Sequence, residues 1–152
     1  MSGRRRFLVG ASAILVLPAV FPARAQQVLQ LRLIEPLIRA VTQGAKVQTG
    51  RVRLVLPQLA DNGNAVPLVV TVDSPMSATD HVLRIHLIAN RNPVAEMATF
   101  HLGPRAGIAT VETRIRLAGS QTITAIAALS DGSFWMDSAS IVVTMSACVD
   151  ET

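Results

Sequence analysis

The chain has 152 residues, a formal net charge of +4, 3% aromatic residues and a single cysteine. The positive charge is concentrated at the start: residues 1–25 hold Arg4, Arg5, Arg6 and Arg24 and no acidic residue, which leaves ten basic and ten acidic side chains in the rest. A near-neutral remainder with few stacking platforms excludes a protein that tracks phosphate backbones, and one cysteine excludes an internal disulfide.

Residues 1–25 have the form of a secretion signal. A charged start (Met1 to Arg6) precedes an apolar run from Phe7 to Phe21, and Ala23-Arg24-Ala25 has the small-x-small form of a cleavage site. Arg4-Arg5-Arg6-Phe7-Leu8 fits the twin-arginine pattern R-R-x-F-L, with Val9 in the usual lysine slot. The apolar run is short against the roughly 20 residues a membrane helix needs. Export to the periplasm by the twin-arginine route, with cleavage and no membrane attachment afterwards, is the expectation.

Beyond the signal, Glu35-Pro36 opens a short predicted helix carrying Leu37, Ile38 and Val41, with Gly44 as its stop. From Arg51 the apolar period becomes two. Val52, Leu54 and Leu56 alternate with Arg51, Arg53 and Val55. Asp61-Asn62-Gly63-Asn64 is a turn signal before the β-branched run Val66 to Val72. Val82 to Ala89 is a predicted strand, apolar on one face. Asn90-Arg91-Asn92-Pro93 is the next turn, and Ala95 to Leu102 the next strand. From Thr110 to Leu117, Val111, Thr113, Ile115 and Leu117 share one face, with Glu112, Arg114 and Arg116 on the other. Gln121 to Leu129 leads through the Asp131-Gly132 hairpin signal to Phe134–Met136 and Ser140–Met145, one strand or two. About seven short strands with close turns predict an all-β, antiparallel sandwich of immunoglobulin-like type with a short N-terminal helix. The predicted division is a signal at 1–25, a domain at 26–145 and a flexible C-terminal arm at 146–152.

Three histidines, His81, His86 and His101, offer a metal reading, but their positions favour three separate surface or rim side chains. A blue-copper site needs two histidines, a cysteine and usually a methionine. In that pattern one histidine and the methionine follow the cysteine, whereas here Val149-Asp150-Glu151-Thr152 follows Cys148. No G-x-S-x-G elbow marks a hydrolase. No catalytic residue, resident metal or cofactor is expected. Cys148 remains. One reading makes it a small apolar residue closing the last strand. The other makes it an exposed thiol, reactive through its thiolate, on an arm that reaches roughly 13–14 Å from Thr144 at about 3.3–3.6 Å per residue.

Several stretches resemble the SoxY family, the sulfur-carrying subunit of the SoxYZ complex of bacterial thiosulfate oxidation. They are Asn62 to Leu68, Val72 to Met76, His101 to Gly107, Thr113 to Ala118 and Ser130 to Met136. The resemblance implies an immunoglobulin-like sandwich paired with a SoxZ-like subunit. It implies that Cys148 is the covalent attachment point for thiosulfate-derived sulfur. It also implies transient contacts with a thiosulfate-coupling haem protein, a sulfate-releasing hydrolase and a sulfur dehydrogenase. The carrier itself is then no enzyme. The family's arm usually ends Gly-Gly-Cys-Gly-Gly; here it is Ser146-Ala147-Cys148-Val149-Asp150-Glu151-Thr152. The two acids and the terminal carboxylate raise the thiol pKa and disfavour an attached sulfonate. The alternative is a non-covalent periplasmic interaction module that has kept the sandwich without the carrier chemistry.

Overall fold

The computed structural model describes residues 34–146. The signal at 1–25 and Cys148 lie outside the described residues. A helix spans residues 34–42. Ile34, Leu37, Ile38 and Val41, at i, i+3, i+4 and i+7, form one apolar stripe, which packs on Ile88, Ile126, Phe134 and Met136. Gly44, at φ +79°, ends the helix, and its N–H donates to the Arg39 carbonyl at 2.9 Å.

Among the described residues nine strands follow: β1 Val47–Thr49, β2 Val52–Val55, β3 Leu59–Asn62, β4 Val66–Val72, β5 Val82–Ala89, β6 Glu96–His101, β7 Thr110–Ile115, β8 Gln121–Leu129 and β9 Phe134–Met145. A 3-10 turn, Pro104–Ala106, separates β6 from β7. One sheet has six strands in the order β1-β9-β8-β5-β6, with β3 also on β9; the other is β2-β4-β7. Between the sheets lie Val66, Leu68, Val70, Ile85, Leu87, Leu117, Ile123 and Ile141, all almost completely buried. The immunoglobulin-like sandwich expected from the alternating pattern is the observed fold, with the helix on the outer face of the larger sheet.

Three features depart from the sequence-based expectation. First, Val82 to Ala89 is buried on both faces apart from Leu83 and Arg84. The helix covers Ile88 from outside. A register shift between Val82 and Arg84 against β8 interrupts the alternation, and Leu83 turns outward, 40% exposed. Second, residues 47–62 form three strands instead of one. β1 pairs with β9, β2 crosses to the other sheet and β3 returns to β9. Gly50, at φ +118°, makes the first crossing. Third, Asp61 and Asn62 belong to β3, so the turn before β4 is confined to residues 63–65.

Asp137 secures the crossing. β9 is paired by β1 at Phe134–Met136 and by β3 from Val142, and between them Asp137 Oδ2 accepts the Leu54 N–H of β2 at 2.9 Å. Asp137→Ala leaves that donor without its carboxylate partner. An expected loss of about 1–3 kcal/mol in denaturant unfolding follows, with the unfolding slope unchanged.

The β8–β9 hairpin turns at Gly132, φ +81°. Asp131 Oδ1 accepts the Ser133 N–H at 2.8 Å and the Ser133 hydroxyl at 2.6 Å. The Ser133 hydroxyl, then its backbone N–H, hold the Asp131 carboxyl below the ordinary carboxylate range. β8 is buried along its whole length. Its outer-face hydroxyls, Thr122 and Thr124, meet Ser140 and Ser138 at 2.9 Å each, so their burial is compensated.

Candidate functional site at the end of β9

The chemistry expected of this chain sits on Cys148, so the end of β9 is the place from which that residue is presented. β9 continues through Met145, paired with Asn62 of β3. From Met145 to Cys148 is three residues, or roughly 10–11 Å fully extended. The strand ends at Met145, where the sequence pattern ended it, and runs unbroken from Phe134.

Three hydrogen bonds fix this strand end, and a fourth braces the Gly63 turn behind it. The Gly63 N–H donates to the Met145 carbonyl at 2.8 Å, and the Gly63 carbonyl accepts the Leu117 N–H at 2.8 Å. Thr144 Oγ1 donates to the Asp61 carbonyl at 2.8 Å. The Ser120 hydroxyl accepts the Val143 N–H at 2.9 Å. Gly119, buried and at φ +149°, lets Ser146 Oγ pass 3.4 Å from where a Cβ would stand. Asn92 ties this loop down: Oδ1 accepts from Ala118 N at 3.0 Å and Gln121 Nε2 at 2.9 Å, and Nδ2 donates to the Arg116 carbonyl at 2.9 Å. Arg91 Nη1 donates to the Ser120 carbonyl at 3.0 Å. The base is thus held by both backbone and side-chain hydrogen bonds, which suits a point from which a short segment departs.

Sequence reasoning marked Asn62-Gly63-Asn64 and Asn90 to Pro93 only as turns. Their second role, as clamps on β9 and on residues 116–121, depends on contacts between segments about 25 to 80 residues apart. Only the pairing of three strand ends at one corner brings them together.

The histidines are dispersed. His81 is half-buried, with Nδ1 3.0 Å from the Ser77 carbonyl. His101 is exposed and sits across from Arg84. His86 departs from the expected surface position: it is only 8% exposed, with Nδ1 2.8 Å from Glu96 Oε1 and 3.1 Å from Thr99 Oγ1. Its neighbours across the strands, Thr99 and Ile126, leave one polar side, which Glu96 occupies. Among the described residues no three His, Cys, Asp or Glu side chains come together as a metal site. The His86 hydrogen bond, followed by that from Thr99, holds the Glu96 carboxyl below the ordinary glutamate range. A depressed carboxyl contributes stability above its unfolded pKa and loses it as pH falls through the folded value. Stability is therefore expected to drop on acidification below the ordinary glutamate pKa, and Glu96→Gln should flatten that drop in urea titrations at successive pH values.

A surface cavity of about 410 Å³ lies at the opposite end of the sandwich. It is lined by Arg51, Asp73 and Ile108 among others. Arg51 there donates to the Asp73 carbonyl at 2.7 Å and stands 5.7 Å from the Trp135 ring centre. Nearly the full length of β9 separates it from Met145, so it is not part of the site. No helix among the described residues is long and apolar enough to cross a membrane.

Known proteins share this architecture. The sulfur carrier protein SoxY from Chlorobium limicola f thiosulfatophilum superposes with a TM-score of 0.64 at 19% identity, over 80% of this chain and 100% of that one. A superoxide reductase (neelaredoxin) from Ignicoccus hospitalis gives 0.56 at 16% identity, over 64% and 94%. The superoxide reductase from Nanoarchaeum equitans gives 0.53 at 11%, over 63% and 100%. At these identities the likeness establishes the fold, and one fold serving a carrier and a reductase does not choose between them. No curated protein matches the chain by sequence. The choice is made by the sequence model of the family described as sulfur oxidation protein SoxY, which matches residues 38–148. Covering the second half of the helix, every described strand and the segment up to the cysteine, that match shows that the chain belongs to the SoxY family.

Proposed function

We propose that this protein is a periplasmic, covalent sulfur carrier that holds thiosulfate-derived sulfur on Cys148 and presents it to sulfur-oxidising enzymes. The observation that carries this reading is the extent of the family match, which runs to Cys148 itself. The end of β9 supports it: Met145 is clamped by Gly63, and the only cysteine of the sequence follows three residues later.

The chemistry is that of a thiolate. Cys148 as thiolate and the terminal sulfur of thiosulfate form an S–S bond as two electrons pass to a haem-containing acceptor. Water then cleaves the terminal sulfonate as sulfate with release of two protons, leaving a persulfide anion on Cys148. A dehydrogenase then oxidises that outer sulfur to a sulfonate with three waters, passing on six electrons and six protons, and a second hydrolysis cleaves the S–S bond, releasing sulfate and two protons and returning the thiolate. The carrier supplies only the sulfur atom and its placement; the catalytic groups belong to the other proteins. A SoxZ-like subunit is the stable partner in this reading. The twin-arginine pattern at Arg4-Arg5 supports export in a folded state.

The test is intact-mass analysis of the purified protein after incubation with thiosulfate and the coupling haem protein. A mass gain of one thiosulfate, mapped to Cys148, is the expected result. An unmodified and accessible Cys148 would overturn the reading in favour of the non-covalent interaction module.

A further inference from the structure

β7 is an edge of the smaller sheet and pairs only with β4. No backbone bond among the described residues reaches its second edge along Thr110–Ile115. Beyond that stretch Asn92 Nδ2 donates to the Arg116 carbonyl at 2.9 Å and closes the edge. Other sheet margins are less open. β2 gives its Leu54 N–H to Asp137, and β6 is interrupted by a register shift against β5 at Leu87 and Ile88. Beside the free edge of β7 the sandwich is open, with a cavity of about 290 Å³ lined by Met97, Phe100, Thr113, Arg114, Ile115 and Arg116 among others. Met97, Phe100 and Val111 pack against the core but are only half-buried.

An unpaired strand edge invites another strand unless charge, proline or a bulge blunts it. β7 holds no proline and no bulge against β4, and its charges are of opposite sign. Glu112 and Arg114 are both exposed on its outer face, and neither belongs to any ion pair among the described residues. Val111, Thr113 and Ile115 face inward, since they pair with the core residues Val70, Leu68 and Val66 of β4. Two copies of this strand related by a two-fold axis through Thr113 match each other. On the outer face Glu112 stands opposite Arg114 of the second copy, and Arg114 opposite its Glu112. On the inner face Val111 meets Ile115 twice, and Thr113 meets Thr113. Directly opposed side chains have Cβ atoms about 4.5–5.5 Å apart, close enough for both kinds of pair. The neighbouring two-fold registers fail: an axis through Glu112 opposes two glutamates, and one through Arg114 two arginines. A slip of one residue sets inner side chains against outer ones.

From this self-complementarity we infer that the free edge of β7 is a docking surface for a second copy of this chain, joined antiparallel about Thr113. The two smaller sheets then run on as one, in the order β2-β4-β7-β7-β4-β2, through an isologous contact. The added strand brings Val111 and Ile115 of the second copy to the mouth of the opening floored by Met97 and Phe100. The ladder is only six residues long, small against the roughly 1,200–2,000 Å² of a standard interface. Its charge pairs are exposed and screened by salt. Association is therefore weak and rises with concentration. No residue of the ladder takes part in the carrier chemistry, so the contact stands with or without it.

The test is sedimentation equilibrium of the purified protein, with any subunit it carries, over a wide concentration range. Two copies of this chain per particle at high concentration, falling to one on dilution, is the expected result. Glu112→Arg and Arg114→Glu each oppose like charges across the axis and should lose the dimer. Combined in one chain they restore opposite charges, and the dimer should return. Both side chains are exposed, so unfolding curves should stay in place. In a Cys148→Ala background, Thr113→Cys should cross-link to itself under diamide, because opposed strand residues hold their Cα atoms about 4.5–5.5 Å apart, within disulfide reach. Leu83→Cys, exposed on β5, should not. One copy per particle at every concentration overturns the inference. So does a dimer that tolerates either single reversal, or one that the combined reversal leaves broken, since each places a different surface in the contact. The cross-linking variants lack Cys148, so their result is the same whether or not that cysteine carries sulfur.

Discussion

Cys148→Ala is expected to abolish sulfur loading completely, with no change in folding or in binding to the stable partner. Cys148 comes three residues after the last strand residue, Met145. Its loss therefore leaves the sandwich intact, while no other thiol in the sequence can replace it. Cys148→Ser should behave the same way, because a hydroxyl cannot form the S–S bond. The measurement is turnover of thiosulfate by the reconstituted system together with intact mass and an unfolding curve. Residual turnover in Cys148→Ala would show that the sulfur rides elsewhere. A carrier with the acidic tail neutralised by Asp150→Asn and Glu151→Gln should have a lower thiol pKa, since nearby negative charge disfavours the thiolate. A pH profile of alkylation of Cys148 by a neutral reagent reads that shift.

Leu117→Ala should be the most damaging single change near the site. Leu117 is fully buried in the main core, and its N–H bonds to Gly63, which in turn holds Met145. Truncating a buried leucine costs about 2–5 kcal/mol, depending on how far the cavity collapses. For a domain of this size that is a large part of the total stability. The same change loosens the corner from which the C-terminal segment departs. Unfolding should shift to lower denaturant, and hydrogen exchange at Gly63 and Leu117 should accelerate more than at β5 or β8. Equal acceleration throughout would mean that the corner is not a separate mechanical unit.

The strands that the sequence marked well are those with one face in the core and the other in water. β4 alternates buried Val66, Leu68, Val70 and Val72 with exposed or half-buried partners, so a period of two identifies it directly. β7 is legible for the same reason. β5 and β8 are harder: both faces are covered, one by the smaller sheet and the other partly by the helix, and the alternation is lost. The bulge at Leu83 adds a residue that no periodicity reveals. β1 and β3 are short, and their existence depends on β9 being available beside them. Of the candidate site, Cys148 stands out in the sequence through its uniqueness and position. The clamps do not, because Gly63, Asn92 and Ser120 are ordinary turn residues until the strand ends meet.

By itself the sequence determined the local alternation, the turn chemistry at Gly44 and Asp131-Gly132, the single thiol and the charges that surround it. These are properties of near neighbours, and neighbours are written in order along the chain. Only the tertiary structure decided which strand ends share a corner, that β9 runs unbroken to Met145, and that Arg114 and Arg116 line an open groove between β6 and β7. The physical reason is that pairing between β7, β9 and the turn at Gly63 joins residues far apart in sequence. Their contact energy is realised only when both sheets are closed on one another.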